Sequence, residues 1–256
     1  MTMPVTGQDF LFMRHPEKPW TLIVPRRHGI FWTGDMLWYR SRIQHDDGRI
    51  VSLGLPKFRN LGDWEADRAP LDKAIAEKRP VQFSEKLDGT LVIRSVFEGE
   101  VIVRMRNHFG LDPEFGTGRV AEINALIDTH MPELRDPDFG SWAHLLFEYV
   151  SPINQIVVRH ETPRLVCIGA VDPAGPRVMS PLEVQSYLCP PHWHFAESDC
   201  MAFASVPDLC EHVERTFAGR EGIVVKIGST LLKIKTAEYL RMHRQLSTLT
   251  AGGPAC

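Results

Sequence analysis

The chain has 256 residues, a formal net charge of −3, 43% hydrophobic and 24% charged residues, and five cysteines. That length can bury a full core in one large domain, and the composition excludes a disordered or collagenous chain. No apolar run approaches the ~18 residues of a membrane span, the start MTMPVTGQDF has no secretory signal, and a negative chain leaves any nucleic-acid contact to a local basic patch.

In chain order, Thr21–His28 reads as a strand running into a loop, and Val81–Lys86 as a strand ending at its lysine. Thr90–Phe97 and Glu100–Arg106 are rich in β-branched residues and flank Glu98-Gly99, a tight hairpin. Val120, Ile123, Ile127 and Met131 recur at helical spacing over Gly118–Met131. Ala143–Val150, Gln155–Arg159 and Leu165–Val171 read as strands, the first two separated by Ser151-Pro152. Ser180-Pro181-Leu182-Glu183 opens a helix with a capping serine, a proline at the first position and a glutamate three residues on. Pro207–Phe217 is a helix closed by Gly219, Gly222–Ile227 and Thr230–Lys235 form a hairpin about Gly228-Ser229, and Thr236–Leu246 is the last helix before a loose tail. Short strands with interspersed helices give an α+β fold with mostly antiparallel sheets and flanking helices.

Within EKLDGT (85–90), Lys86-Leu87-Asp88-Gly89 carries the chemistry. A lysine becomes a nucleophile when its surroundings allow the neutral amine near pH 7. Alternation along an extended segment puts Lys86 and Asp88 on one face, and Gly89 permits a close backbone approach. Lys233 and Lys235 likewise project from one strand face, where two cations can grip a polyphosphate. Glu148 stands in an otherwise apolar strand, and Glu221 opens the strand before the lysine pair. The five widely spaced cysteines lack C-x-x-C and read as reduced thiols in a cytoplasmic protein. His192 and His194, with Cys189, Cys200 and Cys210, lack the spacing of structural zinc. Neither a Walker loop nor G-x-G-x-x-G occurs.

The ordered series LGLPKFRN (53–60), EKLDGT, LLFEYVSPINQIVV (145–158), REGIVVKIG (220–228) and LLKIKT (231–236) resembles the covalent lysine nucleotidyltransferases, and within them the phage-type, RNA ligase 1-like ATP-dependent RNA ligases. Arg59 stands where that branch has a second aromatic. The resemblance implies a nucleotidyltransferase domain (the ATP-grasp-like, ligase adenylation fold) over 1–246, a flexible tail over 247–256 and no appended oligonucleotide-binding barrel. It implies Lys86 as the nucleophile, Asp88 as an aid in orienting a hydroxyl or metal, and Glu221 as the metal-supporting carboxylate. Arg40, Lys57, Glu85, Arg106, Glu148, Glu221, Lys233 and Lys235 become nucleotide-binding candidates, with Arg42 a rival to Arg40, and Asn60 matches the segment that holds Lys57. The implied cosubstrate is ATP with magnesium or manganese, and the implied partners are single-stranded RNA ends bearing a 5′-phosphate and a 3′-hydroxyl, with no membrane. A transferase that adenylates or guanylates ends without sealing them, or a non-catalytic binding relic, remains the alternative.

Overall fold

The computed structural model describes residues 7–26, 29–111, 118–190 and 192–251; Arg27, His28 and the tail from Gly252 lie outside the described residues. Four strands come first: β1 (Phe10–Arg14), β2 (Trp20–Pro25), β3 (Arg42–His45) and β4 (Ile50–Leu53). After them come β5 (Arg59–Asn60), α1 (Glu65–Ala76), β6 (Val81–Lys86), β7 (Thr90–Phe97), β8 (Glu100–Met105) and α2 (Arg119–His130). Next are β9 (His144–Val150), β10 (Arg164–Asp172), β11 (Arg177–Met179), α3 (Pro181–Leu188), β12 (His194–Phe195) and β13 (Ser198–Met201). The chain closes with α4 (Val206–Thr216), β14 (Gly222–Ile227), β15 (Thr230–Lys235) and α5 (Ala237–Ala251). No helix among the described residues is long and apolar enough to cross a membrane.

These elements form two units. The first comprises Met1–Lys57, Thr90–Tyr149 and Pro163–Phe195. It holds an antiparallel sheet β1-β2-β3-β4 and a larger sheet β11-β10-β9-β7-β8, to which β12 adds beside β10 in parallel. Alternation along β9 sends Leu145, Phe147 and Tyr149 into a core with Val120, Ile123 and Ile127 of α2 and Val184 of α3. Leu146 points to the other face, among Leu53, Ile93 and Val171, and the same alternation turns Glu148 to that face. The Glu98-Gly99 hairpin is present, both residues at positive φ as a tight right-twisting turn requires. The capping box at α3 is also complete: Ser180 accepts from the Glu183 amide while Glu183 accepts from the Ser180 amide.

The second unit comprises Phe58–Gly89, Val150–Thr162 and Ala196–Cys256. Its sheet runs β13-β6-β14-β15-β5, antiparallel except for the parallel pair β15–β5. Phe83, Ile223, Val225, Leu232 and Ile234 bury one sheet face against Leu71 and Ile75 of α1 and Leu209, Val213 and Phe217 of the α4 region. Pro70 lies inside α1, and only Leu71, Ala74 and Ile75 of that helix are buried. A short apolar stripe interrupted by proline gives little periodic signal, so no helix is expected there. Arg59, in place of an aromatic, lays its guanidinium over the Trp64 ring at 4.1 Å and donates to Asp67 at 2.7 Å.

Several boundaries differ from expectation. Gln155–Arg159 is not a strand, because the amides of Val157 and Val158 donate to the Asp88 carboxylate instead of to a neighbouring strand. The strand expected over Glu100–Arg106 ends at Met105, and the last helix continues past Leu246 to Ala251.

Candidate active site

The register of the second unit's sheet assembles a charged cluster. Lys86, the last residue of β6, pairs with Gly222 of β14, and Gly222 pairs with Lys235 at the end of β15. Glu221, one residue before Gly222, therefore lies at the end of the sheet with both lysines. Its Oε2 accepts from Lys86 Nζ at 2.7 Å, and its Oε1 accepts from Lys235 Nζ at 2.8 Å. Glu221 is only 3% exposed, so one buried carboxylate is shared by two ammonium groups. Gly222 makes this closeness possible. Its φ is +139°, and a β-carbon there would lie 2.0 Å from the Ile234 carbonyl oxygen.

Asp88 is buried, and its oxygens are engaged within the chain. Oδ2 accepts from the amides of Val157 and Val158 at 2.7 and 2.8 Å, and Oδ1 accepts from the Tyr239 hydroxyl at 2.9 Å. β6 ends at Lys86, so strand alternation does not carry through to Asp88, whose two carboxylate oxygens hold the Val157–Val158 turn and the Tyr239 hydroxyl.

Tyr239 is a member of the cluster that the sequence reading passes over. Its ring lies 4.7 Å from Lys235 Nζ, and the ring is buried. Burial, then the nearby Glu221 and Asp88 carboxylates, push its phenol far above the usual tyrosine range, so it stays protonated and donates. Thr236 fixes the start of α5 beside it. The Thr236 amide donates to the Glu221 carbonyl, and its hydroxyl donates to the Arg220 carbonyl and accepts from the Tyr239 amide. The available sequence signal is a capping threonine followed three residues later by an aromatic, directly after the lysine pair.

Lys233 and Lys235 do share one face of β15, opposite the buried Leu232 and Ile234. Their neighbours differ, since Lys233 Nζ lies 5.7 Å from the ring centre of Phe58. Phe58 comes just before β5, which pairs with β15 at Leu232 and Lys233, so Phe58–Asn60 run beside Lys233. Glu85 lies 3.4 Å from Arg220, which also binds Glu197 at 2.6 Å. Asn60 is turned to Asp63.

The first unit holds Arg40, Lys57, Arg106 and Glu148. Burial, then the charge of Arg106, hold Arg40 below the usual arginine range, while Glu148 acts in the opposite direction. Arg40 is thus close enough to feel both Arg106 and Glu148. Lys57 extends over the Trp32 ring at 5.9 Å. Arg42, the rival to Arg40, is 1% exposed and packs over the Tyr39 ring at 5.3 Å. Arg104 is wholly buried, while Arg106 lies one residue beyond the end of β8.

Among the described residues no group of three or more His, Cys, Asp and Glu is placed to hold a metal ion. Magnesium needs only one or two carboxylates alongside waters and substrate phosphates; Glu221, with its two oxygens on Lys86 and Lys235, is the carboxylate within this cluster.

Lys86 at the end of β6, Glu221 just before β14, and Lys233 and Lys235 in β15 stand in the order that the resemblance to covalent lysine nucleotidyltransferases implies. The RNA ligase family model matches residues 39–239, and the chain belongs to the RNA ligase family. No curated protein matches the chain in sequence. Its fold is similar to that of an archaeal ATP-dependent RNA ligase, with a TM-score of 0.53 and 15% identity over 94% of this chain and 61% of that one. It is also similar to a Naegleria gruberi RNA ligase variant with a lysine replaced by alanine, solved with ATP and Mn, at TM-score 0.51 and 17% identity over 68% of this chain and 55% of that one. A third similar structure, an arginine-to-alanine variant of the Naegleria gruberi enzyme with ATP and Mn, gives a TM-score of 0.53 and 14% identity over 77% and 61% of the two chains. The chain thus spans roughly three fifths of the length of the solved structures it matches.

Proposed function

We propose that this protein is an ATP-dependent RNA ligase that works through an adenylate carried on Lys86. The observation that carries the reading is the shared carboxylate: Glu221 accepts from Lys86 at 2.7 Å and from Lys235 at 2.8 Å. An amine attacks only as the free base, and Glu221 is the acceptor nearest to the proton that Lys86 must lose. The Lys86 lone pair forms a bond to the α-phosphorus of ATP, the bond from that phosphorus to the bridging oxygen breaks, and pyrophosphate leaves. Lys233 and Lys235 stabilise charge on the phosphate oxygens, and Arg40, Lys57 and Arg106 are assigned to the phosphates as well. Glu148 is assigned to the ribose hydroxyls and Glu85 to the nucleotide. Magnesium or manganese, held through Glu221, neutralises phosphate charge when bound.

An oxygen of an RNA 5′-phosphate then attacks the adenylate, the phosphorus–nitrogen bond breaks, and Lys86 is freed. A 3′-hydroxyl attacks the adenylated end, AMP leaves, and a phosphodiester forms. Single-stranded ends suit this chemistry, because their phosphates and hydroxyls are free of a duplex. Asp88 and Tyr239 act as positioning residues behind the lysines. The ATP-grasp-like adenylation fold, read as one domain over 1–246, goes with this function.

The test is a two-stage assay. The protein with α-labelled ATP and magnesium should take up label that survives alkali and is released by mild acid, as a phosphorus–nitrogen bond requires. Adding a 5′-phosphorylated oligoribonucleotide should move the label to the RNA and then release AMP with a sealed product. Label that stops on the RNA marks an end-adenylating transferase, and no label at all rules the reading out.

A further inference from the structure

Arg104 is a fully buried cation whose acceptors are all neutral. Its Nε donates to Ser52 Oγ at 2.7 Å, and one terminal nitrogen donates to Ser41 Oγ at 2.8 Å. The same nitrogen reaches the carbonyls of Met105 and Arg106, and the other terminal nitrogen reaches the carbonyls of Ser41 and Ser52. Ser41, itself 1% exposed, donates from its hydroxyl to the Arg106 carbonyl at 2.6 Å. The guanidinium thus ties the end of β8 to β4 and to the residue just before β3. Burial pulls it down to about 9.

A buried charge without a counter-charge is costly, and a methionine or leucine of similar length would fill the space without that penalty. Among the described residues no charge offsets it. His144 is 3% exposed with neither ring nitrogen hydrogen-bonded, and burial together with Arg104 pushes it down to about 3. What the arrangement does secure is the backbone that carries two other cations. Ser41 directly follows Arg40, and the Arg106 carbonyl is held from two sides. The like charges of Arg40 and Arg106 act on each other, and the hold on Ser41 and on the Arg106 carbonyl sets the backbone from which the two side chains leave.

We propose that Arg104 is a positioning residue, whose buried fork clamps the backbone at Ser41 and Arg106 and so fixes the spacing of the Arg40 and Arg106 guanidiniums for a polyphosphate. This rests on the reading of Arg40 and Arg106 as phosphate ligands. A lysine keeps the charge but loses the planar fork that reaches both carbonyls, so Arg104→Lys should slacken the pair without emptying the core.

The test is calorimetric titration of ATP with magnesium into the full chain carrying Lys86→Met, which blocks the covalent step, together with thermal melts. Arg104→Lys should weaken ATP binding about tenfold, equal to the loss of one good charge-assisted contact. Ser41→Ala, which removes the second hold on Arg106 and keeps the buried charge, should weaken it about threefold. Arg94→Lys is the control: Arg94 is another wholly buried arginine, bound to the carbonyls of Leu134 and Asp136, and its variant should melt lower yet bind ATP like the parent. Should Arg104→Lys fail to fold, Ser41→Ala decides. ATP affinity unchanged in the folded Arg104 and Ser41 variants would overturn the inference alone. A parent protein that does not bind ATP sinks the functional reading and this inference with it.

Discussion

Lys86 and Glu221, 135 positions apart in the chain, meet across 2.7 Å, and the other oxygen of the same buried carboxylate holds Lys235. Two cations on one anion make the cluster sensitive to which partner is removed. Glu221→Gln leaves two ammonium groups facing each other without a counter-charge. It should abolish adenylate formation and destabilise the protein by about 3 kcal/mol, the lower end for a broken buried pair because both lysines keep some exposure. Adding Lys235→Met should recover part of that loss. Urea unfolding of the single and double variants measures the coupling; additive losses would mean that the two lysines do not share the carboxylate.

Asp88 holds three donors at once. Asp88→Ala strands the buried Val157 amide, the half-buried Val158 amide and a buried hydroxyl, and should destabilise by about 3 kcal/mol. Hydrogen exchange should quicken at Val157 and Val158 before it does in the β6–β14 ladder. Asp88→Asn keeps an acceptor for the amides and lets the Tyr239 oxygen accept in turn, so it should be the milder change. Equal stability of the alanine and asparagine variants contradicts the clamp.

Gly222→Ala adds a β-carbon in a backbone conformation that L-residues rarely adopt, and drives it to 2.0 Å from the Ile234 carbonyl. The β14–β15 pairing must open at the end where Glu221 and Lys235 meet. The variant should retain its remaining secondary structure by circular dichroism while adenylate formation falls at least a hundredfold, about 3 kcal/mol of lost positioning. Near-normal labelling would show that the hairpin end does not set the site.

His144 gives a pH signature separate from the chemistry. It is held at about 3 in the fold against 6.5 when unperturbed, by burial first and by the charge of Arg104 second. Between those values the unfolded chain binds more protons, so this contribution to stability is complete above pH 6.5 and is lost as the pH falls toward 3. The loss is on the order of 4 kcal/mol over that window. His144→Phe should flatten the dependence in urea unfolding followed from pH 7 to pH 4, and an unchanged slope would refute the assignment.

The strands that carry the chemistry were legible in the sequence because each has a local signature. Val81–Lys86, Thr90–Phe97, Gly222–Ile227 and Thr230–Lys235 have the expected bounds, and the alternation of Leu232 and Ile234 against Lys233 and Lys235 holds. The capping box at Ser180 was equally readable, since its residues are four neighbours in the chain. What escaped depends on contacts distant in sequence. Gln155–Arg159 has the residues of a strand, but Asp88 takes the amides a strand would need. Arg104 looks like its neighbour Arg106, and nothing local tells that Ser41 and Ser52 wait for its guanidinium inside the fold. Tyr239 reads as an ordinary helix aromatic until Asp88 and Lys235 are seen against it.

The most direct measurement is peptide mapping by mass spectrometry after incubation with ATP and magnesium under alkaline work-up. A single adenylate on the peptide containing Lys86, absent from Lys86→Ala and discharged by a 5′-phosphorylated RNA, is the expected result. An unmodified Lys86, or an adenylate carried on Lys233 or Lys235 instead, would contradict the account.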